Sequence, residues 1–570
     1  MKKRLLSVTV FTLLIVMIFS VFSACGKPED PINNDYDKTP APYTLGYSLS
    51  PDGSYYSVKC TEMNRICDVT VPAEYNGIPV KKIDASAFWG YGNFLISITL
   101  PEGITEIGES AFSGCYRLSD ITLPSTLTEI GGNAFVSCTS LIEICNKSKL
   151  DIQLREGNKH GGITANAENV YTDKEGESRL TRDGDFVFYD DGEYRALVTY
   201  KGSAAEVILP TADDYVIRDF AFLYNTSAVS LTVPSCVAKI SGNAFAGCYK
   251  LTEIYNKSAL NIVAGSEENG NVAQYAENVY TDKEGESKLF RSGDFLFYRG
   301  EENRLMAYSG DKSEIVLPTI DGGYAIGKYA LNGNALLRKI TVPSGVRGID
   351  ESGISACMYL ESVTLGDDVE YIGYSAFASC GRLKEINFPA SVKEIDEKAF
   401  MLCTSLNSLT VPSTVETVGK NAFMYCSGLT EVTVSEGVLS LGVGAFESCG
   451  GLKKATVAGS VKHVNENTFA FCRELKELVL CEGIESIESR IIVGCGSLDG
   501  VVIPKSVQSI QGNAFENGNL IALYYKGTEA EFAEVTVNGT LSQTVYYYSE
   551  SKPSAVGNYW HYENGSPVVW

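Results

Sequence analysis

Cysteine is the residue type whose number and spacing in this chain could support chemistry. Seven of the 16 cysteines among the 570 residues stand 23 residues apart. If each 23-residue segment formed one coil of a stack, these thiols would lie in a column, close enough to bind a metal ion or to form disulfides. In-register side chains point the same way, however, and cysteine packs as a small apolar group, so the spacing favours buried thiols. The column consists of Cys357, Cys380, Cys403, Cys426, Cys449, Cys472 and Cys495.

Besides Cys25 near the N-terminus, five other cysteines of the chain stand outside any such column. Cys60 and Cys67 lie on a lead-in segment with the pattern of a β-hairpin, and a Cys60–Cys67 bridge is the best disulfide candidate. Cys145, Cys236 and Cys481 receive no assignment from the sequence.

Residues for catalysis or metal binding are scarce. The three histidines, His160, His463 and His561, are far apart, and no H-E-x-x-H, G-x-S-x-G or phosphate-loop motif occurs. Two duplicated acidic segments, 173–177 and 282–286, lack the ligand spacing of a calcium loop and favour a glycine turn. The sequence therefore predicts no catalytic residue, no metal site and no cofactor.

The elements that position the cysteine column follow from the residues around it. Three residues before each column cysteine stands an apolar residue, which is Phe in most coils. In the coil that begins at Phe423, the stretch Leu429–Val434 fits the strand signature L-x-x-L-x-L. Its alternation directs Val432 and Val434 inward and the intervening residues toward solvent. A single 23-residue unit cannot bury its own apolar columns, so stacked coils are required.

The repeat occurs fourteen times, in groups of three, two and nine coils. The consensus L-x-x-L-x-L-P…V-x-x-I-G-x-x-A-F-x-x-C resembles the BspA-type leucine-rich repeats of bacterial surface proteins and covers most of residues 83–523. The alternating runs 185–189 and 294–298, each followed by a second strand, predict β-hairpin inserts, and the aromatic C-terminus predicts a cap module. The resemblance implies a β-rich leucine-rich-repeat solenoid with a parallel sheet on one wall and turns and short helical or irregular pieces on the other. It also implies an exported or surface-attached protein, since some members are adhesins that bind host extracellular proteins or other bacteria.

The N-terminus predicts export and lipid anchoring. Lys2, Lys3 and Arg4 precede an apolar run, Leu5–Phe22, and the run ends in Ser-Ala before Cys25. This arrangement resembles a bacterial lipobox, in which the cysteine is acylated. Two acyl chains supply a stable membrane anchor. The alternatives are an ordinary cleaved signal with a chance cysteine, or an uncleaved anchor. We expect a protein anchored by Cys25 at the outer face of the cell membrane.

The overall charge excludes some partners. The chain has 47 Lys and Arg against 70 Asp and Glu, a formal net charge of -23. Such a chain is repelled by nucleic acid and by anionic membrane surfaces, so neither is an expected partner except for the membrane reached through the lipid anchor. The expected partners are extracellular proteins or glycans.

Composition and repeats divide the chain into eight predicted segments. These are a signal peptide and lipobox (1–25), a flexible tether (26–43), a lead-in hairpin with three repeats (44–145), an insert with a hairpin (146–210), two repeats (211–255), a second insert with a hairpin (256–318), nine repeats (319–523) and a Tyr/Trp-rich C-terminal module (524–570).

The outward strand positions of the nine-repeat block form the candidate binding face, because solvent-facing side chains on a sheet are free to contact a partner. An alternative site is the aromatic C-terminal module, which either caps the last coil or stacks on sugars. The candidate face comprises Lys339, Thr341, Ser362, Thr364, Glu385, Asn387, Ser408, Thr410, Glu431, Thr433, Lys454 and Thr456.

Overall fold

The computed structural model describes residues 43–63, 67–92, 94–172, 178–211, 213–281, 287–516, 520–554, 556–563 and 566–570. The chain divides into two compact units, Met1–Ser287 (unit 1) and Lys288–Trp570 (unit 2). Both are β-solenoids, with about 21 turns in all and almost no helix. The predicted leucine-rich-repeat solenoid is therefore confirmed. The additional turns are those that lack the Phe and Cys signature.

Each coil has three sides. The L-x-x-L-x-L stretch forms a strand of one parallel sheet, here called the first wall, as in Glu431–Val434. The V-x-x-I stretch forms a second, shorter parallel sheet, the second wall, as in Ser440–Leu441. The Ala-Phe-x-x-Cys stretch forms the turn side. The second wall differs from the expectation of turns there, because the apolar residues that end V-x-x-I pair from coil to coil.

The first wall is built from parallel strands that recur once per coil and are grouped into several sheets, and it ends in the antiparallel pair Tyr559–Glu563 and Ser566–Val569. Its strands in unit 1 are Cys67–Thr70, Leu95–Thr99, Asp120–Leu123, Glu143–Asn146, Asn169–Tyr171, Glu206–Ile208, Ser230–Val233, Glu253–Asn256 and Asn278–Tyr280. In unit 2 they are Glu314–Val316, Lys339–Thr341, Ser362–Thr364, Glu385–Ile386, Ser408–Val411, Glu431–Val434, Lys454–Val457, Glu477–Leu480, Gly500–Ile503, Ala522–Tyr525, Thr544–Tyr548, Tyr559–Glu563 and Ser566–Val569.

The second wall starts with antiparallel strands and continues with short parallel ones. In unit 1 its strands are Tyr43–Leu49, Tyr56–Met63, Glu74–Tyr75, Ile78–Ile83, Glu106–Ile107, Glu129–Ile130, Leu180–Asp183, Phe186–Asp190, Arg195–Tyr200, Tyr215–Ile217 and Val237–Ile240. In unit 2 they are Leu289–Ser292, Phe295–Arg299, Asn303–Tyr308, Tyr324–Ile326, Val346–Ile349, Tyr371–Ile372, Glu394–Ile395, Thr417–Val418, Ser440–Leu441, His463–Val464, Ser486–Ile487, Ser509–Gln511 and Thr536–Asn538.

Helical structure in the described residues amounts to three single turns, Lys159–Gly162, Glu268–Asn271 and Glu529–Phe532. The hairpins occur where the alternating sequence predicts them. In unit 1 Phe186–Asp190 pairs antiparallel with Arg195–Tyr200, and the latter strand then pairs parallel with the next second-wall strand. Each hairpin thus supplies the edge on which a repeat block is stacked.

The turn side is held by hydrogen bonds between coils. The backbone N–H of Phe423 donates to the carbonyl of Ala445 in the next coil at 2.8 Å. Asn421 and Tyr425, two residues before and after Phe423, have left-handed backbones with φ of 57° and 62°. Such a conformation costs a non-glycine residue about 1 kcal/mol or more. The ladder of stacked N–H groups keeps these positions in place, and the sequence pattern did not reveal them.

The apolar columns fill the space between the three sides. Phe423 is fully buried, and its ring stacks on Phe400 and Phe446 with centroids 5.1 and 5.4 Å away. Val432 and Val434 are also buried, whereas Glu431 is exposed. The predicted inside and outside of the coil are therefore confirmed.

The residues that directly follow the two duplicated acidic segments bind to buried glutamates in unit 1. Glu143, 1% exposed, accepts hydrogen bonds from the Ser178 hydroxyl at 2.6 Å, the Arg179 backbone N–H at 2.6 Å and the Asn169 amide at 3.0 Å. In the second copy, Glu253 accepts from the Ser287 hydroxyl at 2.7 Å. Each glutamate thereby ties the chain that follows a repeat block to the last coils of that block.

Candidate binding face

The structure places the strand positions of the candidate face on the outside of the first wall. Lys339, Ser362 and Glu385 are consecutive partners in one column, and a second column runs through Thr410, Thr433 and Thr456. None of the twelve candidate residues is buried. Asn387 is the exception to the pairing, because it lies beyond the end of its strand.

Opposite charges pair along this face. Lys454 lies 3.2 Å from Glu477 in the next coil, and Lys384 lies 2.9 Å from Glu361 in the preceding one. Exposed pairs of this kind contribute little to stability, about 0–1 kcal/mol. They give the face a mixed charge pattern rather than a patch of one sign.

The first wall of unit 2 is interrupted in its middle. A four-stranded sheet ends at Glu385–Ile386 and a nine-stranded sheet begins at Ser408–Val411, so these neighbouring strands do not pair. At the same level the second wall is continuous, because Glu394 pairs with Thr417. On the turn side Phe377 still donates to the carbonyl of Ala399. The interruption, here called the split, is therefore confined to the first wall.

Asn387 gives the split a local cause. Its side-chain amide accepts from the Leu365 N–H at 2.6 Å and donates to the Leu365 carbonyl at 2.9 Å. The side chain thus occupies backbone groups that the strand would use in a regular coil. Phe388 follows where Val411 and Val434 stand in the next two coils, and it is half-buried while they are buried.

A groove of about 860 Å³ lies at the split. Its apolar lining includes two residues, Ile386 and Phe388, that belong to inward columns elsewhere. Sequence reasoning missed these residues as surface groups, although Asn-Phe-Pro in place of Thr-Val-Pro was the available signal. The full lining is Glu361, Ser362, Lys384, Glu385, Ile386, Phe388, Leu406, Asn407, Ser408, Leu409, Thr410 and Pro412.

The column cysteines are buried thiol donors. The Cys426 Sγ lies 3.2 Å from the carbonyl oxygen of Phe400, and the same contact recurs from Cys357 to Cys495 at 3.1–3.3 Å. Burial raises the pKa of the Cys426 thiol well above its usual range. These thiols therefore have a structural role, in which each one bonds to a carbonyl of the preceding coil.

The expected Cys60–Cys67 bridge is not formed in the structure, where no disulfide joins the two residues. Cys60 lies on Tyr56–Met63 of the second wall, whereas Cys67 begins Cys67–Thr70 of the first wall. The Cys60 thiol donates to the carbonyl of Glu62 at 3.2 Å, and burial raises its pKa to about 12. The chain therefore crosses from the second wall to the first wall between these two cysteines.

Each of the three histidines has its own local contact. His160 contacts the Asp151 carbonyl, His463 contacts the Ser486 hydroxyl, and His561 stacks on Trp570. Over the described ranges, no group of three or more His, Cys, Asp or Glu side chains is arranged to hold a metal ion. The same residues contain no helix of the length and apolar character needed to cross a bilayer.

The C-terminal aromatic residues extend the first wall. Trp560 is fully buried, and its Nε1–H donates to the Tyr525 carbonyl at 2.8 Å. Its ring lies 5.2 Å from Tyr548 and 4.9 Å from Tyr562. These two tyrosines are 37% and 43% exposed, so the cluster combines a buried anchor with accessible rings.

The repeat region of the chain matches a known protein family. Residues 68–154, 201–266, 308–429 and 393–521 match the family described as "BspA type Leucine rich repeat region (6 copies)". The chain belongs to the BspA-type leucine-rich-repeat family. Proteins of this family typically have protein-interaction or surface roles and are typically non-enzymatic. They are typically surface-associated.

No curated protein matches the chain. Among solved structures, the leucine-rich-repeat protein of T. pallidum is 26% identical, covers 37% of this chain and 90% of its own, and has a TM-score of 0.28. A leucine-rich-repeat protein of Bacteroides ovatus is 18% identical, with 90% and 100% coverage and a TM-score of 0.35. The pneumococcal vaccine antigen PcpA is 16% identical, with 89% and 97% coverage and a TM-score of 0.25.

The proposed acylation site, Cys25, lies outside the described residues, as do the signal peptide and most of the tether. The acidic segments 173–177 and 282–286 lie outside them as well.

Proposed function

We propose that this BspA-type protein is a lipid-anchored adhesion or interaction module, which binds a host, neighbouring-cell or matrix protein through the first wall of unit 2. The observation that carries the proposal is the ordered outward face, in which polar side chains repeat in register in two runs, from Lys339 to Glu385 and from Ser408 to Thr456, on either side of the split. A rigid parallel sheet presents these groups at fixed spacing, which reduces the entropy lost on binding. The protein acts by binding, without catalysis.

An extracellular-protein array probed with the full chain tests this proposal. Replacing outward residues in several coils, for example Ser408, Glu431 and Lys454 by Ala, should weaken capture of the protein partner at least tenfold. The control replaces outward residues of the second wall, Thr417 and Ser440, in the same coils. Equal weakening by both sets, or no weakening by the first, would exclude the first wall as the binding face.

Anchoring is tested separately at Cys25. If Cys25 is acylated, Cys25→Ala should move the protein from the membrane fraction to the medium or leave it as an unprocessed precursor. Metabolic labelling with a fatty-acid analogue should mark the parent chain and not the variant. Membrane association that persists unchanged in the variant, and still needs detergent for release, would contradict the lipoprotein assignment.

A second candidate function is carbohydrate binding by the aromatic C-terminal module. The accessible rings of Tyr548 and Tyr562 beside the Trp560 anchor favour it, because aromatic faces stack on sugars. On a glycan array, Tyr548→Ala with Tyr562→Ala should abolish binding if this function holds. The Trp560→Ala change is unsuitable here, since it removes a buried side chain and would destabilise the fold.

A further inference from the structure

The split in the first wall exposes two strand edges and part of the core at one place. Along unit 2, the inward positions of first-wall strands are buried in the coils on either side, as at Val363 and Leu409. In the split coil both inward residues, Ile386 and Phe388, are half-buried instead. Solvent thus reaches apolar side chains that every neighbouring coil encloses.

The edges of the split carry backbone groups in the arrangement that another strand recognises. Ser408–Val411 pairs on one side with Glu431–Val434, and on the side of the split none of the described strands pairs with it. An exposed strand edge presents N–H and C=O groups at the spacing of a β-ladder, and added strands bind to such edges in many recognition domains. A four-residue edge matches an extended segment of about 13 Å.

The side chains around the groove define the chemistry of its occupant. Ile386, Phe388 and Leu406 supply an apolar floor, and the groove volume of about 860 Å³ lies within the range of about 300–1,000 Å³ for ligand pockets. The charged lining residues are Glu361, Lys384 and Glu385, and Lys384 is paired with Glu361. The charge at the rim is therefore net negative, which favours a cationic side chain.

We propose that the split between Glu385–Ile386 and Ser408–Val411 is a binding site for an extended peptide segment of a protein partner. The segment adds to the Ser408–Val411 edge through its backbone, places an apolar side chain against Ile386 and Phe388, and directs a Lys or Arg toward Glu385. This inference rests on the proposed binding function and assigns it a site on the same wall.

A closing variant tests the site by giving the split coil the residues of a regular coil. Asn387→Thr with Phe388→Val gives the split coil the Thr-Val sequence of Thr433 and Val434, so the strand should pair and the groove should close. The matched control, Val479→Thr with Leu480→Ile, changes the same two positions in a regular coil outside the candidate face. All three proteins should have comparable unfolding midpoints.

The probe is a phage-displayed library of random eight-residue peptides, panned on the purified full chain in detergent micelles. Selected peptides should be rich in apolar residues beside Lys or Arg. Their Kd should rise at least tenfold for the closing variant and stay unchanged for the control. N-methylation of alternate peptide nitrogens should also abolish binding, because it removes strand-pairing donors. Equal binding to all three proteins, or no selected peptide, would overturn the proposal.

Hydrogen exchange supplies a readout that needs no peptide. Backbone amides of Asn407 to Thr410 should exchange faster in the parent chain than in the closing variant, and a bound peptide should protect them. Slow exchange in the unliganded parent would mean that the split is closed in solution and would overturn the site.

The outcomes separate this inference from the proposed function. If array binding survives the closing variant but is lost on replacing Ser408, Glu431 and Lys454, the binding function stands and the peptide site fails. Dimerisation of the full chain that the closing variant abolishes would identify a second copy as the occupant and would also overturn the peptide site.

Discussion

The two units bury different kinds of residue, although they are built from the same repeat. Unit 2 has one apolar core from Phe297 to Tyr525. Unit 1 has two main cores, one for each of its repeat blocks. Within the described residues, all the buried charged side chains belong to unit 1, whereas unit 2 buries only serine and threonine among its polar residues. The five charged residues are Arg117, Glu143, Lys201, Lys250 and Glu253.

This difference shows that interruptions of the repeat lead to buried charged side chains. Inside a long array each coil is covered by two similar coils, so its polar groups remain at the surface. At the junction of two blocks in unit 1, Lys201 reaches across and donates to the Ile96 carbonyl at 3.2 Å. Arg182 lies 3.7 Å from Asp120 at the same junction. Charges become buried there because unlike surfaces meet, and burial of charge is unfavourable.

The largest expected effect is in the regular core of unit 2. Phe423→Ala should destabilise unit 2 by about 3–5 kcal/mol, because the ring is fully enclosed by the neighbouring coils. The change in stability is measured by denaturant unfolding, with hydrogen exchange used to monitor unit 2. The matched control is Phe471→Ala, since Phe471 lies two positions after a column Phe and is 41% exposed. Equal losses from both changes would mean that the ring stack does not dominate the core.

The next effect concerns the buried charge of unit 1. Burial lowers the pKa of Lys201 from 10.5 to about 8. Between pH 8 and 10.5 Lys201 is protonated in the unfolded chain but largely neutral in the folded one. The loss of folding stability caused by burying its charge is therefore complete below pH 8, and it disappears as the pH rises to 10.5. Lys201→Met should therefore stabilise unit 1 by up to about 3 kcal/mol at pH 7, less the lost hydrogen bond to Ile96.

The measurement is the difference in unfolding free energy between parent and Lys201→Met, taken from pH 7 to 10. The buried thiols and tyrosines titrate alike in both proteins and cancel in that difference. We expect the advantage of the variant to shrink as pH rises. A difference that stays constant with pH, or grows, would show that Lys201 remains charged in the folded unit.

A smaller effect is expected at the cysteine column. Cys426→Ala removes a buried sulfur and its contact with the Phe400 carbonyl, which should lower the free energy of unfolding by about 1 kcal/mol. Cys481→Ala, outside the column and half-buried, serves as the control. In the parent chain the column thiols should resist alkylation until the protein is denatured. Disulfides between column neighbours in mass spectra would contradict the structural role of the thiols.

The smallest effect is expected at the surface of the first wall. Glu431→Ala with Thr433→Ala should change the free energy of unfolding by no more than about 0.5 kcal/mol, because neither side chain is buried. A thermal melt of the double variant beside Phe423→Ala measures the contrast. A large loss from the surface pair would reverse the inside and outside of the coil.

The sequence was sufficient for everything that depends on the 23-residue register. It predicted the solenoid, the buried Phe and Cys columns, the inward Val432 and Val434 and the outward candidate face, because a strict period and strand alternation leave one way to bury the apolar residues. It also predicted the hairpins at Phe186 and Phe295 from their alternation. These properties are local to a coil and its two neighbours.

Tertiary structure decided the features that depend on what lies against a coil. Arg117, Lys250 and Arg382 all stand two residues after the cysteine of an A-F-x-x-C turn, namely Cys115, Cys248 and Cys380, yet the first two are buried and Arg382 is exposed. These three residues hold equivalent positions in the repeat. Whether each side chain is buried depends on the part of the chain that packs over it. The split is similar: Asn387 and Phe388 are small departures in sequence, and whether strands 23 residues apart still pair depends on hydrogen bonds and packing between coils.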